Sequence, residues 1–141
     1  MEYETLPAAT FGHALRALSV NLLVRDVLAQ VAFLTHVFGM QAHQATRDFA
    51  IVLHGGHPFQ LHADHTYHSN PLLSLLPDGA PRGAGIELRL HEADPDLAVS
   101  KLDPFPDAIL LQAPTDKTAH GLREAVILCP MGYAWVPSRR I

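Results

Sequence analysis

The sequence predicts an α+β fold: two paired βαβββ modules whose mixed sheets face each other around a cup-shaped cavity. Two observations carry this expectation. Ser19-Val20-Asn21-Leu22-Leu23-Val24-Arg25-Asp26 is an alternating strand closed by an aspartate, with a helix pattern behind it. Glu87-Leu88-Arg89-Leu90-His91-Glu92-Ala93-Asp94 repeats that plan at equal length. Each half then continues as extended segments around a glycine-bearing turn, residues 49–53 into 59–63 and residues 125–128 into 133–136. A duplication on this scale outranks any single motif in deciding a fold. Two copies are too few for a solenoid, so they pair into one domain over residues 1–141, with module one at about 16–79 and module two at about 83–138.

Taken in order, residues 1–16 have no clear periodicity and read as an arm or a short helix. In the first strand Val20, Leu22 and Val24 share one face, and Ser19, Asn21 and Leu23 the other. Asp26 is a natural N-cap for a helix with the apolar stripe Val27, Val31, Leu34 and Phe38, and Gly39 suits its C-terminal stop. Strands follow near 41–46, 49–53 and 59–63, with His54-Gly55-Gly56-His57-Pro58 as a turn. Residues 65–82 are rich in proline and polar groups and link the halves, with an apolar patch at 72–76 between Pro71 and Pro77. In module two Ile86, Leu88 and Leu90 face one way and Glu87, Arg89 and His91 the other. Asp94-Pro95 starts a short helix over 96–102, which Pro104 and Pro106 end. Strands near 108–112, 124–128 and 133–136 complete the module, with Cys129-Pro130-Met131-Gly132 as the turn.

Bulk properties exclude several classes. A formal net charge of -4, with basic residues scattered apart from Arg139-Arg140, argues against a nucleic-acid or anionic-membrane surface. No stretch approaches the roughly 20 apolar residues of a spanning helix, and the acidic opening leads into no signal-like apolar run. The lone Cys129 forms no intrachain disulfide, which suits a reducing, cytoplasmic setting. No phosphate-binding glycine loop, Rossmann fingerprint or Gly-x-Ser-x-Gly elbow is present.

Several stretches resemble the glyoxalase / bleomycin-resistance / extradiol-dioxygenase superfamily, the vicinal oxygen chelate fold. They are Arg25-Asp26 with Ala32-Phe33 ahead of Val37-Phe38-Gly39-Met40, then Gly121-Leu122-Arg123-Glu124-Ala125 and Pro130-Met131-Gly132-Tyr133. Cys129 stands where that family usually has an aspartate. The resemblance covers about residues 16–138 and implies the fold more firmly than any chemistry, because the superfamily spans isomerases, lyases, dioxygenases and drug-binding proteins. It implies metal ligands at four pseudo-symmetric places. Aligned on Asp26 and Asp94, these fall at Ser19, at Gln60 or His62, at Glu87 and at Val136. Only half of that set is good metal chemistry, so a divalent ion (Fe, Zn, Ni or Mn) is expected to be weakly held, on His62 and Glu87, or absent. It also implies a homodimer, for which the 72–76 patch is the candidate cover.

Two functions follow. One is a glyoxalase-like protein binding a small oxygenated or aromatic molecule in the cup, with metal-assisted lyase, isomerase or dioxygenase chemistry in which Glu87 is a ligand or moves a proton. The other is a metal-free, non-catalytic protein that sequesters a small molecule or drug, as the bleomycin-resistance branch does. In both, Asn21, Gln60, His62 and Arg89 line the cup, and so do Tyr133 and Trp135 if the last strand presents them instead of Ala134 and Val136. His62 and Glu87 read equally as a partial metal site, as a base beside an imidazole, or as a hydrogen-bonded polar pair. Asp64, Tyr67 and Arg82 border the linking loop, and Arg123 and Glu124 read as ion-pair partners. Of ten histidines, five lie between His54 and His68; His54, His57, His65 and His68 read as exposed loop residues, and His120 as a rim residue.

Overall fold

A computed structural model of the chain describes residues 1–76 and 81–141. Pro77 and the predicted end of module one at residue 79 lie outside the described residues. The elements run α1 (Ala8–Ala14), β1 (Asn21–Val24), α2 (Val27–Phe38), β2 (Gln41–His43), β3 (Phe49–His54) and β4 (His57–Ala63). Two 3-10 helices, Asp64–Tyr67 and Pro71–Leu75, come next. Then follow β5 (Glu87–Leu90), α3 (Pro95–Ser100), β6 (Ile109–Lys117), β7 (Leu122–Leu128) and β8 (Ala134–Arg140). The strands form two four-stranded mixed sheets, ordered β1-β4-β3-β2 and β5-β8-β7-β6. In each, the first strand lies parallel to the last and the other pairs are antiparallel. The chain is therefore α+β with two βαβββ modules, as the duplicated pattern predicts.

Two compact units emerge: Met1–Thr35 with Met40–Leu75, and His36–Gly39 with Leu76–Ile141. In the first, the Asp26 carboxylate accepts from the Ala29 N–H at 3.0 Å and so caps α2, which runs until Gly39 adopts φ 67°. One face of its sheet is dry: Leu22, Val24, Ala50, Val52, Leu61 and Ala63 are all buried, as are Val27, Gln30, Phe33 and Leu34 of α2. The hairpin turn is tighter than the sequence suggests. His54 and His57 pair directly, and Gly55 and Gly56 alone make the turn, both at positive φ as a two-residue primed turn requires.

In the second unit, Asp94 accepts from the Asp96 N–H at 3.0 Å and Pro95 occupies the first helical position, so α3 starts where predicted. This helix packs on β6, β7 and β8. The Arg123 guanidinium donates to both Asp96 carboxylate oxygens at 2.8 and 2.9 Å, fastening β7 to α3. Two strands run past their predicted ends. β6 continues through Pro114 to Lys117 because it is an edge strand, where a missing N–H is tolerated, and its register shifts on both sides of Gln112. β8 continues through Pro137, which stands opposite Leu90, the last residue of β5.

Candidate functional site

Strand register decides which side chains share a face. In the first sheet Asn21 pairs with Gln60, and Leu23 with His62, which also faces Phe49. Asn21, Gln60, His62 and Phe49 therefore stand on one face, opposite the buried Leu22–Leu61–Ala50 layer. His62 is the centre of this group. Its ring lies 5.2 Å from Phe49 and 5.2 Å from Tyr67, and its Nε2 is 3.3 Å from the Gln60 side-chain oxygen. Asn21 donates from Nδ2 to the Tyr67 hydroxyl at 3.5 Å. Burial pushes the His62 imidazole below its ordinary value, which favours the neutral ring with a lone pair available. The face thus combines a phenyl ring and a phenol with two amides and an imidazole.

The second sheet presents a charged group instead. Glu87 pairs with Ala134 and Arg89 with Val136, so these four share a face, and Glu124 joins them through its pairing with Ser138. Arg89 reaches from β5 across β8 to β7. It donates from one terminal nitrogen to Glu87 Oε2 at 3.0 Å and from the other to Glu124 Oε2. The side chains of Glu87, Arg89 and Glu124 are 55%, 32% and 9% exposed, so the network runs from solvent into the interior. His120 Nε2 lies 3.6 Å from the same Glu124 oxygen. Burial pushes the Glu124 carboxyl up, but Arg89 and His120 outweigh it and hold it below the usual carboxylate range. The hydrogen bond to Glu124 in turn holds the Arg89 guanidinium more firmly charged. Glu87, Arg89 and Glu124 together carry one carboxylate in excess.

The remaining predicted residues fall elsewhere. Trp135 pairs with Leu88 and Ile127, on the face away from Glu87 and Arg89; it is 2% exposed and its ring lies 6.0 Å from Phe38. Ala134 and Val136 are the pair that shares the face with Glu87. Tyr133 precedes β8 and is buried beneath the 81–83 backbone, where a side chain on Gly83 would meet its ring at 2.8 Å. Ser19 lies outside β1. Matching strand to strand pairs Asn21 with Glu87 as the first-strand place, because β5 and α3 are separated by two more residues than β1 and α2. Glu124 is the residue whose role the sequence understated. Its signal was the strict alternation with Arg123, which sends one charge to α3 and the other to Arg89. His65 pairs with Asp48 at 2.6 Å.

No protein-family profile and no curated protein matches the chain. Solved structures do. A glyoxalase/bleomycin resistance protein/dioxygenase family enzyme from Burkholderia phytofirmans PsJN superposes with a TM-score of 0.66 at 26% identity, over 87% of this chain and 97% of that one. By fold the chain is similar to proteins of the glyoxalase/bleomycin resistance/dioxygenase family. A glyoxalase/bleomycin resistance protein/dioxygenase from Nocardioides matches at a TM-score of 0.62 and 18% identity, covering 93% of this chain and 89% of that one. A glyoxalase-related enzyme from Fulvimarina pelagi matches at 0.68 and 13%, covering 89% and 88%.

With the strands matched, the metal-ligand places that the resemblance implies fall at Asn21, at Gln60 or His62, at Glu87 and at Val136. That donor set does not fit a firm metal site. It offers one imidazole and one carboxylate, and the carboxylate already accepts from Arg89 at 3.0 Å. A strong divalent site takes three or four protein ligands. Among the described residues, no group of three or more His, Cys, Asp or Glu side chains is placed to hold an ion.

Proposed function

We propose that this glyoxalase-like chain binds a small oxygenated or aromatic molecule, in the cup that its superfamily implies, through its own side chains. The observation that carries this reading is the Glu87–Arg89–Glu124 network. A carboxylate engaged by a guanidinium is a poor competitor for a metal, yet Glu87 is half exposed and its second oxygen can accept from a ligand hydroxyl. The rings around His62 support an aromatic component, since offset and edge-on ring contacts add to simple burial. The test is titration with catechol, which pairs a ring with two hydroxyl donors, against its dimethyl ether, which lacks them. Catechol should bind, and both the ether and the Glu87→Gln variant should show about tenfold weaker binding with little change in melting temperature. Equal affinity in all three experiments would refute the role of Glu87.

A second reading keeps catalysis. The neutral His62 imidazole supports it, because it leaves a lone pair for a weakly held divalent ion or for a proton. Turnover of catechol on adding Fe, Mn, Ni or Zn, lost in His62→Gln, would decide for that reading.

We propose further that the chain is cytoplasmic, from its single buried Cys129, and homodimeric. Leu72 and Leu75 in the 3-10 helix Pro71–Leu75 are 44% and 76% exposed, an apolar surface that a second copy would cover. Light scattering should give twice the chain mass at micromolar concentration, and a monomer mass would refute this. No helix among the described residues is long and apolar enough to cross a membrane.

A further inference from the structure

The first unit carries an open polar pocket at the start of α2, lined by exposed residues. It has a volume of about 560 Å³ and is lined by Arg25, Asp26, Leu28, Ala29, Arg47 and His65. Three separate segments converge there: the β1–α2 junction, the loop before β3, and the 3-10 helix after β4. We propose that this cavity binds the phosphate group of a small phosphate monoester. Two guanidiniums line it in a chain of net charge -4, so positive charge is concentrated against the background. Guanidiniums match phosphate oxygens two-prong to two-prong, and Arg47 has no hydrogen-bond or ion-pair partner among the described residues. Asp26, the one lining carboxylate, accepts from the Ala29 N–H at 3.0 Å, and its charge offsets one guanidinium and leaves the other in excess. That bond also takes up a helix N–H, which leaves the arginines to carry the site. His65 is held by Asp48 at 2.6 Å, which fixes its ring at the cavity wall. The volume exceeds what a bare phosphate fills. Leu28, 46% exposed, and Ala29 offer an apolar wall for a compact organic body.

The probes are inorganic phosphate, ribose 5-phosphate and ribose, titrated by calorimetry at low ionic strength, where exposed charges are least screened. Ribose 5-phosphate should bind saturably and about tenfold more tightly than inorganic phosphate, and ribose should not bind. Arg47→Gln, on an exposed loop, should weaken ribose 5-phosphate binding about tenfold. Arg25→Gln combined with Arg47→Gln should abolish it while leaving the catechol response intact, which also certifies the fold. No saturation by either phosphate at roughly 20 mM, or wild-type affinity in the double variant, would overturn the proposal.

Discussion

Replacing Arg89 with methionine keeps the apolar stem of the side chain and removes the charge together with the hydrogen bonds it donates to Glu87 and Glu124. The Glu124 carboxylate has 9% exposure and would retain only His120, at 3.6 Å. Removing one partner of a fully buried pair costs about 3–5 kcal/mol. Arg89 is 32% exposed, so water already screens part of the pair and the expected loss is smaller, about 2–3 kcal/mol. For a chain of this size that corresponds to a fall in melting temperature of roughly 6–12 °C at pH 7. The pH dependence sharpens the test. In the native protein the Glu124 carboxyl is held below its usual range, so its stabilising contribution is present above the unfolded carboxyl value and is lost as pH falls through the folded one. Without Arg89, burial dominates and raises the folded value, so the variant's deficit is full at neutral pH and shrinks as the carboxyl protonates. Denaturant melts at pH 7 and near pH 4.5 should show the gap closing. In a double-mutant cycle, Glu124→Gln should rescue most of the Arg89→Met loss, with a coupling of about 2 kcal/mol. Additive losses, or a deficit independent of pH, would refute the idea that Arg89 compensates a buried charge.

Three further outcomes follow from local geometry. Gly132 has φ 89°, and a Cβ there would lie 2.6 Å from Pro81 Cα and 2.7 Å from Arg82 N, so Gly132→Ala should cost more than about 2 kcal/mol by denaturant melt. Gly39 has φ 67° but open space around it, so Gly39→Ala should cost about 1 kcal/mol, and equal losses would contradict the contact argument. His62 should titrate by NMR below the ordinary value of 6.5; because its folded value is lowered, its contribution is present above 6.5 and is lost as pH falls through the folded value, and a titration at or above 6.5 would oppose its burial. Dialysis against chelator should move the melting temperature by less than about 2 °C, whereas a structural ion would contribute several kcal/mol and produce a large drop.

What the sequence disclosed and what it hid divide along the range of the interactions. Asp26 and Asp94 were readable as caps because a cap is settled by the residue and the next two or three N–H groups. The duplicated order of strands followed from alternation alone. The continuation of β6 past Pro114 and of β8 past Pro137 was not legible, because whether a missing N–H matters depends on which neighbour lies beside it. Alternation also paired Tyr133 with Trp135 and Ala134 with Val136, without saying which pair meets Glu87; only the parallel register of β5 with β8 settles that. The aspartate-based alignment put Ser19 at the first-strand place. The loop before α3 is longer than the one before α2 and contains Glu92 at φ 56°, so equal spacing from the aspartates does not mean equal position on the strands.

Matching the modules strand to strand brings out how one backbone plan carries two chemistries. Leu23 faces His62 in the first sheet where Arg89 faces Val136 in the second. Each pair contains one apolar and one basic side chain, on opposite strands. The polar member is accommodated differently in each. His62 is neutralised by loss of its proton, which burial favours, and it is surrounded by rings. Arg89 does not deprotonate, so it survives partial burial only because Glu87 and Glu124 flank it. Those partners come from the same strand and from β7, and the first-strand alignment inspects only the former. A change at Glu124 would therefore alter the surroundings of Glu87 through Arg89, although the two carboxylates stand on different strands. The fold fixes where side chains point, and the neighbouring strands decide which of them are free to act.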